Sequence, residues 1–346
     1  MKELLKKLAN AHGISGYEDD IKNVIRAEME KYVDEIKIDK LGNLIGIKHG
    51  EKPSVMIAAH MDEIGLMVKS IDKDGFIKFA KIGGWFDQIL LNSRVIIHGR
   101  KNVYGVIGSK PPHLMKDEEK KKAIETKDMF IDIGAKSKED VEKIGIKIGN
   151  PITLDMEMRE LINGRITGKA LDDRVGVAVM LEALKNLDSN STIYAVGTVQ
   201  EEVGLKGART SAFGLYPDLA IVCEVAIADD HPGIENGNIK IDGGAVITVA
   251  DASGRGLITH PLILEWLLDV AEKNGIPYQL EVAEGGTTDA AVIHLTKTGI
   301  PTGVISVPTR YMHSGVEVVS INDIENSVKL LKKAIESIHE LKLFNK

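Results

Sequence analysis

Two adjacent carboxylates, Glu201 and Glu202, follow an apolar run in residues 198–208, TVQEEVGLKGA. Glutamate is almost never fully buried unless paired, so an ordinary Glu pair is a solvated surface feature. Neighbouring side chains of a strand point to opposite faces, and two such acids converge on one site only where the strand ends and the chain turns. Gly204 and Gly207 are expected to make that turn. Other potential ligands recur in similar positions. His60 follows the apolar run SVMIAA, with Asp62 two residues on; GKALDDR supplies Asp172 and Asp173; Glu224 is expected to end the strand reading IVCE; and His313 lies in VPTRYMHSG after a late strand. Each alone is a weak signal. Together, two histidines and several carboxylates at strand exits are the ligand set expected for two divalent ions such as Zn²⁺, Co²⁺ or Mn²⁺.

The chemistry of such a pair explains why these residue types would be gathered. Two ions about 3.5–4 Å apart need a carboxylate to bridge them, terminal ligands on each side, and a water as nucleophile whose pKa falls toward about 7. A further group must take that water's proton and return it to a leaving group. With Glu201 and Glu202 adjacent, one can bind metal while the other acts as base, and spacing alone permits either assignment.

These residues need a scaffold. At 346 residues with 43% hydrophobic content, the chain is long enough for one large or two moderate domains with a substantial core. The balance of Lys+Arg 44 against Asp+Glu 51 gives a net charge of −7, and no basic block is interleaved with aromatics, so nucleic acid is not an expected partner. Residues 1–10, MKELLKKLAN, lack the apolar core and cleavage site of a signal peptide and read as an amphipathic helix. No apolar run approaches membrane-spanning length. The single cysteine, Cys223, excludes an internal disulfide framework and fits a reducing compartment, so a cytoplasmic protein is expected.

Along the chain, apolar residues at helical spacing predict two helices before residue 30, separated by HGISGYE, and a hairpin around Gly42 and Asn43 precedes the SVMIAA strand. From residue 68 to 164 short β-like runs alternate with Gly and Asp turns, the pattern of a small β-barrel, interrupted by the charged run KDEEKKKAIETK. After residue 165 strands alternate with helices. A helix is expected over residues 174–187, strands over 192–199, 219–223, 239–249, 278–282 and 302–307, and helices over 261–273 and 289–297. Ser137 with Asp140, and Ser320 with Asp323, read as capping boxes. The fold class is therefore α/β, with a mixed, largely parallel sheet flanked by helices, formed by residues 1–67 and 165–346 and interrupted by an inserted β-barrel over 68–164.

AAHMDEIGLMV, GKALDDRVG, VQEEVGLKGA, CEVAIADDHPG, GGTTDAA and VPTRYMHSGVE, in this order, closely resemble the M42 family of dinuclear metalloaminopeptidases, which includes the tetrahedral aminopeptidases. The resemblance covers essentially the whole chain. It implies a zinc-peptidase-like α/β domain carrying a PDZ-like barrel as a dimerisation insert, and dimers assembling into a hollow tetrahedral dodecamer that admits short peptides. It implies that Asp172 bridges two ions, Zn²⁺ or Co²⁺ before Mn²⁺, with His60 and Glu224 on one and Glu202 and His313 on the other. Glu201 is then the general base and Asp62 the residue that orients His60. A non-proline cis peptide between Asp172 and Asp173 is also implied. Gly285, Gly286, Thr287 and Asp289 resemble a family segment near the substrate. Where many members carry Asp, this chain has Glu224, which keeps the carboxylate and changes its reach.

Two other functions use the same residues. An amidohydrolase or deacylase with this dimetal site would prefer acylated substrates to free amines. A non-catalytic metal- or peptide-binding protein would have no need of a base beside the ligands, and Glu201 argues against it. Gly243-Gly244 and residues 254–256 lack the strand-to-helix context of a phosphate loop. Cys223 reads as core, His113 and His231 as surface residues, Trp85 as a residue of the insert interface and Trp266 as helix core.

Overall fold

A computed structural model describes residues 1–235 and 237–344. An eight-stranded mixed sheet forms its centre. Four parallel strands occupy the middle in the spatial order Ser191–Thr198, Glu51–His60, Leu219–Ile227 and Thr302–Thr309. Antiparallel Leu44–Lys48 and Ala245–Ala250 flank these four. Continuous apolar runs such as VMIAA in the second strand are what a strand buried on both faces requires. Helices Lys2–Asn10, Asp19–Met29, Leu171–Leu184, Pro261–Lys273 and Ile321–Glu336 cover one face, and Lys206–Leu215 with Ala290–Ile293 cover the other. Trp266 is buried in the first of these layers.

From His60 the chain runs through only a few residues into a closed antiparallel barrel. Its strands lie in the order Gly65–Ile71, Ile77–Ile82, Phe130–Asp132, Asn102–Gly108, Arg94–His98 and Pro151–Leu154. Leu66, Val68, Ile77, Val95, Ile97 and Ile152 fill the interior. The charged run KDEEKKKAIETK is exposed and holds one short helix, Asp117–Lys120. The chain returns through a separate three-stranded sheet in which Arg165–Gly168 lies between Arg159–Glu160 and Glu317–Ser320. That small sheet places the segment leading to Asp172 beside the segment following His313.

Several local expectations are corrected. The strand expected over residues 239–249 is confined to Ala245–Ala250, because the carboxylate of Asp323 accepts the N–H groups of Asp242 and Gly244, at 2.6 and 2.8 Å, which would otherwise join a ladder. The same exchange removes the capping box expected at Ser320 and Asp323: the Ser320 hydroxyl donates instead to Asp242 Oδ1. Ser137 does cap its helix, accepting from the Asp140 N–H. The helix expected over 289–297 is a single turn, Ala290–Ile293, and the chain reaches Lys297 in the left-handed region at φ 53°. Among the described residues, no helix is long and apolar enough to cross a membrane.

The first helix is tied to helix Leu171–Leu184 by buried charge. Arg174 is fully buried and donates from Nη1 to the carbonyls of Leu8 (2.7 Å) and Ala11 (3.3 Å), satisfying the open C-terminal end of helix Lys2–Asn10. Lys169 donates to both oxygens of buried Glu63 at 2.9 Å, and Arg174 Nη2 stands 3.6 Å from the same carboxylate. Replacing Arg174 by Met keeps the apolar stem and strands those carbonyls. Arg174→Met should therefore lower stability by on the order of 3 kcal/mol, read from denaturant unfolding.

Candidate metal centre

The predicted ligands meet at the carboxyl ends of the parallel strands, where open α/β sheets bind their ligands. His60 is the last residue of its strand and pairs in register with Thr198, the last residue of the neighbouring strand. Glu224 does not end its strand, which continues to Ile227. On the His60 side the ladder stops at Val222 and Ala58, while on the other side pairing runs on to Ile227 and Thr309. Glu224 is thus a mid-strand residue whose side chain lies beside the crevice opened by the shorter neighbour.

Asp172 lies between the two histidines. His60 Nε2 is 3.0 Å from Asp172 Oδ1, and His313 Nε2 is 3.4 Å from Asp172 Oδ2. Glu224 Oε1 stands 3.8 Å from His60 Nε2, and Glu202 Oε2 stands 3.5 Å from His313 Nε2. Both imidazoles are oriented by backbone carbonyls: Nδ1 of His60 lies 2.9 Å from the Asp62 oxygen, and Nδ1 of His313 lies 2.9 Å from the Gly84 oxygen. A proton on Nδ1 leaves Nε2 of each ring as the free donor atom, the arrangement of metal-binding imidazoles. The carbonyl of Asp62, and less closely its carboxylate at 3.5 Å, faces His60. Asp172 and Asp173 are joined by a cis peptide. Asp173 has both oxygens engaged, by the N–H groups of His60 (3.2 Å) and Gly176 (3.0 Å), whereas both oxygens of Asp172 face imidazoles.

The electrostatics describe a site short of positive charge. Burial, reinforced by Asp172, pushes Glu202 up to about 7, and burial holds Glu201 and Glu224 well above the usual carboxylate range. Asp172 lowers its own range against burial because His313 and His60 face it, and in return it raises His313 to about 9. Carboxylates kept from ionising by burial and by one another are the donor set that a divalent cation relieves. His60, Asp172 and Glu202 bring donor atoms within 4.8 Å of one another, as do His60, Asp173 and Glu224. The chemistry of these donors fits a divalent-cation site.

The Glu201–Glu202 turn is held by Asp62. Its Oδ1 accepts the N–H of Glu201 at 2.9 Å and its Oδ2 that of Glu202 at 3.2 Å, so one buried carboxylate fixes both acids at the strand exit. Gln200, Gly204 and Leu205, at positive φ, make the turn. Gly207, at the start of helix Lys206–Leu215, closes it: its N–H donates to the Val199 carbonyl at 2.9 Å, an approach that a Cβ would block. Asp289 approaches from the GGTTDAA segment, accepting the Thr198 hydroxyl at 2.5 Å, and burial raises it to about 6. Gly285, Gly286 and Thr287 are exposed, and no hydrogen bond joins them to the cluster.

Three functional contributors carried no sequence signal strong enough to single them out. Ser15 donates to Asp62 Oδ2 at 2.6 Å, and Glu18 accepts the Gln200 N–H at 3.1 Å, so HGISGYE braces the turn from the N-terminal side. Glu317, within the quoted VPTRYMHSGVE, accepts the N–H groups of both Asp172 and His313. The barrel contributes Trp85, buried with its Nε1–H on the Gly65 carbonyl, to a small crevice also lined by Leu154, Lys169, Asp172, Glu202 and His313.

The chain is similar to known proteins over nearly its whole length. The family model of the M42 glutamyl aminopeptidases matches residues 42–330. A lysyl aminopeptidase of Pyrococcus furiosus is 37% identical, over 97% of this chain and 97% of its own. The solved structure of an aminopeptidase from Desulfurococcus kamchatkensis matches with a TM-score of 0.94 and 46% identity, covering 98% of this chain and 97% of that one. The TET1 peptidase of Pyrococcus horikoshii, which can assemble into a tetrahedron or a large octahedral shell, matches with a TM-score of 0.87 and 35% identity over 96% and 98% of the two chains. With agreement over nearly its whole length, this chain belongs to the M42 glutamyl aminopeptidase family and is an aminopeptidase.

Proposed function

We propose that the chain is a dinuclear metal-dependent aminopeptidase that removes N-terminal residues from short peptides, with Glu201 as its proton carrier. The observation that carries this reading is the position of Asp172, with one oxygen toward each imidazole Nε2 and further acids beside each ring. His60 and Glu224 would hold one ion, Glu202 and His313 the other, and Asp172 both, with Zn²⁺ or Co²⁺ favoured and Mn²⁺ compatible. Bound ions polarise the scissile carbonyl and lower the pKa of a water toward about 7.

Glu201 is the acid beside the ligands that the ligand set leaves over. Its backbone N–H is held by Asp62, which fixes its place at the strand exit. It takes the proton of the attacking water and returns it to the nitrogen of the departing amine. The names of the relatives favour a free N-terminal amine over an acylated one, and a paired panel of aminoacyl and N-acylated substrates separates the aminopeptidase from an amidohydrolase.

Residues 68–164 would act as an inserted domain for dimerisation. Tyr104 and Val106, two residues apart on one barrel strand and both exposed, offer an outward apolar face for it. Dimers would build a tetrahedral dodecamer, as the Pyrococcus horikoshii relative's tetrahedron suggests, and the buried, lone Cys223 fits a cytoplasmic setting.

Three outcomes test this reading. Glu201→Gln should retain the metal content of the parent and lose turnover by about 10²–10⁴-fold, measured on an aminoacyl chromogenic substrate alongside elemental analysis. Chelation should abolish hydrolysis, and Zn²⁺, Co²⁺ or Mn²⁺ should restore it; undiminished activity in the metal-free protein would refute the metal role. Light scattering at micromolar concentration should give the mass of an assembly, and a monomer there rules the dodecamer out.

A further inference from the structure

Glu317 is only 2% exposed, and no step of the proposed reaction uses it. Its Oε2 accepts the Asp172 N–H at 3.1 Å and its Oε1 accepts the His313 N–H at 3.0 Å, so both oxygens are turned to main chain and neither is offered as a ligand. The two residues it joins come from opposite ends of the α/β region. Glu317 opens strand Glu317–Ser320, which pairs with Arg165–Gly168, the strand that leads directly to Asp172.

The loop bearing His313 is closed at its base by mutual hydrogen bonds between Arg310 and Val318, at 3.0 and 3.1 Å. Inside it, the Ser314 hydroxyl donates to the Tyr311 carbonyl at 2.6 Å, and Tyr311 and His313 both sit at φ 59°. That left-handed backbone is uncommon for residues other than glycine and holds only where its surroundings determine it. The N–H of His313 points inward, and Glu317 receives it.

We infer that Glu317 is a positioning residue: by accepting the main-chain N–H groups of Asp172 and His313 together, it sets the gap across which His313 meets Asp172 and Glu202, and so builds the second ion position. The inference rests on the dinuclear reading above. A carboxylate is required because two N–H groups converge on it. Glutamine at this position offers one acceptor and turns an NH₂ donor toward the other N–H. Aspartate keeps both acceptors and shortens the reach by one methylene. The first ion position shares Asp172 with the clasp but takes its other residues, His60 and Glu224, from sheet strands, so it depends on Glu317 less than the second position does.

The test titrates chelated protein with Co²⁺, following the visible absorption of the bound ion and the heat of binding, for the parent, Glu317→Gln and Glu317→Asp. Thermal unfolding of each metal-free form and the kcat and KM of each loaded form are measured beside it. The parent should take up two equivalents. In Glu317→Gln the second equivalent should bind about 10- to 100-fold more weakly and the first should be weakened by a distinctly smaller factor, with kcat reduced and KM retained. Glu317→Asp should weaken the second equivalent by a smaller factor, again more than the first, and it decides the matter if Glu317→Gln fails to fold. Parental affinity for both equivalents in the variants overturns the inference, as does an equal weakening of both equivalents in step with metal-free stability, which is the mark of a merely structural role. A parent that binds a single equivalent overturns the dinuclear reading, and this inference with it.

Discussion

Like charges repel most strongly where water is excluded, and this fold concentrates acids in a crevice at the ends of its central strands. What makes that concentration possible is main-chain N–H. Asp62 is held by the amides of Glu201 and Glu202, Asp173 by those of His60 and Gly176, Glu317 by those of Asp172 and His313, and Glu18 by those of Gly16 and Gln200. The acids form two tiers. Those of the outer tier spend their oxygens on the backbone and fix it, while Asp172, Glu202 and Glu224 face the imidazoles with oxygens left for a cation. The arrangement is inverted relative to an ordinary buried ion pair, in which a charge is tolerated because an opposite charge meets it.

The two halves of the centre are built by different means. His60 and Glu224 sit on neighbouring sheet strands, each two residues beyond the last paired residues, Ala58 and Val222, so the strands carry both to the crevice. Glu202 and His313 sit on loops, where a turn braced by Asp62 and a loop closed at Arg310 and Val318 take the place of the strands. Precision on the loop side therefore comes from specific side chains, and it is there that the orienting residues cluster.

Much of this was legible in the sequence because the ligands have a residue-type signature. Histidines and acids at the ends of apolar runs announced the crevice, and the alternation of β-like runs with Gly and Asp turns announced the barrel. The residues that place the ligands were not legible. Accepting a backbone amide leaves no mark on composition or spacing, so Ser15, Glu18 and Glu317 read as ordinary polar residues. Glu224 was read as a strand end because an acid interrupts an apolar run, yet the strand continues when its partner on only one side has stopped. Gly207 reads as a turn residue, and the reason it must be glycine, the close approach of Val199 that excludes a Cβ, is visible only in three dimensions. The strand expected before Ala245 failed for a related reason, since the side chain that captured its amides, Asp323, lies some eighty residues away.

The Gly84 carbonyl that receives Nδ1 of His313 belongs to the segment between the second barrel strand and the following helical turn. In chain order the barrel is an interruption that could be exchanged for some other module. In space it supplies a carbonyl that orients a candidate metal ligand some 230 residues distant, and so it is part of the candidate site. Remodelling the barrel in this chain would therefore have to keep this carbonyl or supply another acceptor for the same ring.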